Sequence, residues 1–112
     1  MYKKLSMIIF VFCVACSSNS TDLTFAELEA AGFKKEQQQY FQLVGATNAW
    51  SGRWANEDIE IYTFDDPDLE NAPFYKSIKV NTNDSRWADK CVHRNVVLLS
   101  NGEQACKRLY KL

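Results

Sequence analysis

The chain predicts an α+β domain: a small, mainly antiparallel sheet covered by helices in two layers. Three stretches point there. From Glu57 to Phe64, Ile59, Ile61 and Thr63 alternate with Asp58, Glu60, Tyr62 and Phe64, which is the period of a strand. Thr24 and Glu27 stand at capping-box spacing before a short stretch with one apolar side, which is how a helix starts. Near the end, Ala105, Cys106, Leu109 and Leu112 recur at helical spacing.

The elements follow in order. Phe25 to Ala31 is a short helix, with Leu23 and Leu28 at staple positions and Gly32 placed for the left-handed residue that ends it. Phe25, Leu28 and Ala31 form its buried side. Lys34 to Val44 also reads helical, because Tyr40, Leu43 and Val44 recur at three and four and Gly45 can end it; a strand over Tyr40 to Ala46 is the competing reading. Gln37 to Gln39 form a solvated face. Thr47 to Asn56 reads as a loop, since Asn48, Ser51, Gly52 and Asn56 break any period.

Glu57 to Phe64 is the central strand. Its isoleucines look inward, and Asp65-Asp66-Pro67 stops it. Asp66, Asp68 and Glu70 alternate like the start of a calcium loop, but Asn71 and Ser77 hold the positions where that loop needs glycine and a bidentate acid. Asn71 to Val80 is a second helix, with Pro73 in its first turn, where its missing amide costs nothing, and Phe74, Tyr75 and Ile78 toward the sheet. Ser85 to Ser100 is a strand pair turning at His93 to Asn95; one long strand from Val92 to Leu99 is the alternative. Glu103 to Leu112 is the terminal helix, with Lys107, Arg108 and Lys111 toward water and suited to its C-terminal dipole.

The 112 residues carry 13 Lys and Arg against 14 Asp and Glu, a net charge of −1, which points to neither a nucleic acid nor an acidic substrate. The charge is unevenly spread. From Ser17 to Pro73 three basic residues (Lys34, Lys35, Arg53) face eleven acidic ones, whereas from Phe74 to Leu112 eight basic residues face three acidic ones. Either the halves neutralise each other on packing, or a basic face is left for an anionic partner.

The N-terminus decides the compartment. Lys3 and Lys4 precede an apolar run from Leu5 to Val14 that is too short for a mature span, which needs about 20 residues. Small Ala15 then stands immediately before Cys16. This resembles the lipobox of bacterial lipoproteins, in which the signal is cut before the cysteine and its thiol is lipidated; the position three before that cysteine, most often Leu, Val or Ile, holds Cys13 here. The resemblance covers the first sixteen or seventeen residues and implies a signal peptide over 1–15 and lipidated Cys16, which opens a polar tether over 16–23; the length that remains is enough for a single domain over 24–112. Ser17 after the cysteine resembles the outer-membrane-sorted kind, so the expected place is the bacterial outer membrane, lipid-anchored and facing the periplasm. With Cys13 removed and Cys16 lipidated, Cys91 and Cys106 remain as an even pair in an oxidising compartment and are expected to form the domain's one disulfide. Two free buried thiols are the alternative. A turn at His93 to Asn95 is what brings Cys91 back toward Cys106.

No catalytic or cofactor motif stands out. His93 is the sole histidine and has no nucleophile signature around it, so no catalytic residue, cofactor or metal is expected. The candidate site is Trp50, Arg53 and Trp54, read as a partner-binding loop because large rigid rings meet a partner at little entropic cost; the competing reading closes both rings over the core. The expected function is a non-enzymatic binding or envelope-assembly module, held to the membrane through Cys16, with another envelope protein as partner and no nucleic acid. The alternative is an inhibitor or immunity lipoprotein whose Trp50–Trp54 loop plugs a periplasmic hydrolase or toxin.

Overall fold

The computed structural model describes residues 22–112; the signal, Cys16 and most of the tether lie outside the described residues. Five strands form one antiparallel sheet: β1 (Lys34–Gln38), β2 (Asn48–Trp54), β3 (Glu57–Thr63), β4 (Asp89–His93) and β5 (Val96–Ser100). Their spatial order is β1-β2-β3-β5-β4. Three short helices accompany it, α1 (Phe25–Ala30), α2 (Pro73–Ser77) and α3 (Gln104–Leu109), with 3-10 turns at Gln42–Val44 and Leu69–Asn71.

The sheet dominates and carries a core on each face, so the expected two-layer sheet covered by helices is met only in part: the helices are short, and loop residues share in the cover. Ile59, Ile61, Val96 and Leu98 point to one face, where Leu28 of α1 and Ala105, Cys106 and Leu109 of α3 meet them. Tyr62, Val97 and Leu99 point to the other, where Phe64, Leu69, Phe74, Ile78 and Trp87 close over them. The reason lies in β5. All five of its residues are buried, as in a strand sandwiched on both sides. Burying a side chain such as Ile61 or Leu98 in full contributes about 1.5–3 kcal/mol.

Local signals hold at both ends of the chain. The Thr24 hydroxyl accepts from the Glu27 amide at 3.1 Å, and the Glu27 carboxylate accepts from the Thr24 amide at 3.0 Å. Leu23 and Leu28 are both buried, so the folded body takes in Leu23, one residue before the expected boundary. Pro73 opens α2, which is shorter than its predicted range. The strand pair turns at Arg94-Asn95, which rules out the single long strand. That turn lets Cys91 on β4 reach Cys106 on α3 across 6.0 Å between Cα atoms, and the disulfide forms. Closing a loop of this length stabilises a domain by about 3 kcal/mol.

Two readings are corrected. Lys34 to Val44 is not a helix: Lys34–Gln38 is the edge strand β1, and Tyr40 and Leu43, whose spacing suggested a buried face, are 85% and 90% exposed. The competing strand over Tyr40 to Ala46 is not formed either; a 3-10 turn stands there. Every side chain of β1 is exposed, so no alternation marks it, and only its pairing with β2 makes it a strand. Thr47 to Asn56 is not a loop: Asn48–Trp54 is β2, paired on both sides. Gly52 looked like a breaker but answers a packing need. A Cβ there would collide with the Lys34 carbonyl oxygen and lie 2.8 Å from the Phe33 ring.

A cationic cleft at the turn between β2 and β3

The predicted site residues separate. Trp54 belongs to the core: it is 2% exposed, its indole Nε1 donates to the Ala31 carbonyl at 3.1 Å, and its ring lies 6.5 Å from that of Phe33. Trp50, on the same face, is half-buried and covered by Lys35, whose Nζ stands 4.4 Å over its ring and 3.4 Å from Glu29. Strand alternation turns Arg53 to the other face of β2. Arg53 is part-exposed there and pairs with Asp58.

Arg53 sits in a cleft of about 360 Å³ whose wall includes Gly32, Lys34, Asn56 and Arg108. Three cations are brought there from three elements. Lys34 of β1 is the register partner of Arg53 of β2, and two like charges directly opposite across strands repel. Asp58 of β3 relieves this in part, 2.6 Å from Arg53. Arg108 arrives from α3. Among the described residues neither Lys34 nor Arg108 closes a salt bridge, and no carboxylate lines the cleft. The rim is a two-residue turn: Trp54 pairs with Glu57, and Ala55 and Asn56 between them hold φ of 55° and 63°. Both left-handed residues fit the hairpin turn that matches strand twist.

Glu57, beside this turn, is spent on structure. Its carboxylate accepts from the Ser100 hydroxyl at 2.7 Å and from the amides of Gln104 and Ala105 at 2.7 and 2.9 Å. It therefore supplies the start of α3 with acceptors that its own N-cap, Glu103, does not provide. Burial alone would raise its pKa; the Ala105 amide, Ser100, the Gln104 amide and Arg108 outweigh burial and hold it below the ordinary 4.5. The acid-rich first part of the chain and the basic second part meet here and at Glu60–Arg86, 3.4 Å apart.

His93 lies at the far end of the sheet. Its Nε2 is buried with no hydrogen-bond partner among the described residues, and its ring stands edge-on to Tyr110 at 5.6 Å. Burial, and then Arg94, lower its pKa. Asp66 and Asp68 shape a turn: Asp66 accepts from the Asp68 amide and Asp68 from the Asn71 side chain. Among the described residues no group of His, Cys, Asp and Glu is arranged to hold a metal ion, and no helix is long and apolar enough to cross a membrane.

Sequence reasoning found Arg53 and missed Lys34, Asn56 and Arg108. Those three are far apart in the chain, and only the strand register and the return of α3 unite them. In comparison with known proteins, no family model, no curated protein and no solved structure matches this chain.

Proposed function

We propose that this chain is a lipid-anchored, non-catalytic binding module of the bacterial outer membrane, facing the periplasm, whose partner surface is the cationic cleft beside the β2–β3 turn. The observation that supports this is the gathering of Lys34, Arg53 and Arg108 around one concavity with no acid in its wall. Like charges held together disfavour folding unless an anion meets them, and the chemistry that does so is a carboxylate-rich surface on another envelope protein. The inhibitor alternative loses the feature it rested on, because Trp50 to Trp54 is a paired strand with Trp54 buried, and no plug projects from it.

The test is a photo-crosslinking residue at Asn56 in the full chain, expressed in its native cells. The reading predicts a discrete adduct with an envelope protein, weakened about tenfold or more in the Lys34→Glu, Arg108→Glu double variant at a temperature where circular dichroism shows that variant folded, since opposed charges set partner choice. No adduct, or one indifferent to the charge reversal, overturns it.

A further inference from the structure

The point where the chain enters the folded body fixes which end lies toward Cys16. Leu23 is held at the β4–β5 turn: its amide donates to the Asn95 side chain at 2.6 Å, and its carbonyl accepts from the same side chain at 3.0 Å. Only Ser17 to Asp22 separate Leu23 from Cys16. Those six residues span at most about 21 Å when extended.

The exposed apolar side chains gather at that same end. Asn48, Thr63, Val96 and His93 are register partners across β2, β3, β5 and β4, so the β1–β2 connection and the β4–β5 turn leave the sheet on one side. The β1–β2 connection carries Tyr40 and Leu43, 85% and 90% exposed, beside an apolar groove floored by Phe64 and Phe74. α3 begins beside Glu57, and the residues that follow it reach the same end. There Tyr110, 54% exposed, meets His93, and the carbonyl of Leu112, 39% exposed, accepts from Arg94. All four large apolar residues exposed among the described ones thus stand at the end of the sheet that Leu23 enters, Tyr40 and Leu43 toward its β1 edge and Tyr110 and Leu112 beside the β4–β5 turn, and the end with the cationic cleft has none.

We infer that this end of the body rests on the lipid bilayer that holds Cys16, with Tyr40 and Leu43 at the boundary between headgroups and acyl chains. The inference rests on the lipid-anchor reading above. The tether argues for a bilayer rather than a protein as occupant: it is too short to carry the body away from the surface, and it leaves from the apolar end. Tyrosine suits the place, having an apolar ring and a polar tip. The contact is apolar rather than electrostatic, because Arg94 and Lys111 at this end are outnumbered by Asp22, Glu27, Asp65 and Asp66. The bilayer contact also turns the cationic cleft outward, toward a partner.

The test places a polarity-sensitive fluorophore on Leu43→Cys or, separately, on Asn56→Cys, in the full mature chain. Intact mass first establishes whether Cys16 is acylated. The acylated chain is then reconstituted in phosphatidylcholine vesicles with brominated acyl chains. Quenching at position 43 should exceed that at position 56 by about threefold or more, as expected for a side chain at the acyl boundary, and adding phosphatidylglycerol should leave the ratio unchanged. Equal, weak quenching at both positions in an acylated chain overturns the inference and leaves the anchor standing. Weak quenching in vesicles, with position 43 shielded from an aqueous quencher only in native envelopes, assigns the rim to a protein and also overturns it. An unacylated Cys16 overturns anchor and inference together.

Discussion

The side-chain amide of Asn95 holds both backbone groups of Leu23, 72 residues earlier in the chain, with hydrogen bonds of 2.6 and 3.0 Å. Both residues are buried. One side chain thereby pairs the incoming segment as a neighbouring strand would, and places Leu23 at the β4–β5 end of the sheet.

Asn95→Ala should therefore cost more than an average turn substitution. It strands a buried amide and carbonyl, at about 1–3 kcal/mol. For a domain of this size the melting temperature should fall by roughly 5–15 °C, read by circular dichroism. A shift within about 2 °C would mean that water replaces the bonds at no cost.

Glu57 predicts an acid limb. Its folded-state pKa is lowered below 4.5. Between the folded and unfolded values the unfolded chain holds more protons, so stability rises with pH through that window. The contribution is complete above the unfolded value and is lost as the pH falls through the folded one. Urea melts from pH 7 downward should show this loss, and Glu57→Gln should flatten the limb while lowering stability at pH 7 by about 1–3 kcal/mol. A variant with the parent's acid limb would assign that limb to other carboxylates.

How much was legible in the sequence depends on whether the deciding forces were local. The α1 cap, the β3 alternation, Pro73 and the pairing of Cys91 with Cys106 were readable because each involves neighbours or a simple count. β1 was not, because Lys34, Lys35 and Glu36 are good helix formers and pairing with β2 overrides them. β2 was not, because Gly52 marks a close approach of Phe33 rather than a turn. Of the cleft, Arg53 was readable as a charge between tryptophans, whereas Lys34 and Arg108 join it only through tertiary structure.

That account of Gly52 is testable. Gly52→Ala places a methyl group against the Lys34 carbonyl and the Phe33 ring. It should destabilise the domain by about 2 kcal/mol or more, as overpacking does, and an equilibrium urea melt will show it. A loop residue would accept the change almost freely.

Ala55 offers the opposite sign. It holds φ 55° with a Cβ, in a turn where Asn or Gly is at ease. Ala55→Asn should stabilise the domain by about 0.5–1 kcal/mol, raising its melting temperature by a few degrees. A lower melting temperature would mean that the Ala55 methyl contributes packing that the turn geometry alone does not reveal.

The proposal that the body hangs by a lipid from Cys16 is tested most directly by the intact mass of the mature chain purified from cell envelopes. The account predicts a chain that begins at Cys16, carries acyl groups on it, and lacks two hydrogens between Cys91 and Cys106. A chain beginning elsewhere, or a Cys16 thiol free to react, would contradict it.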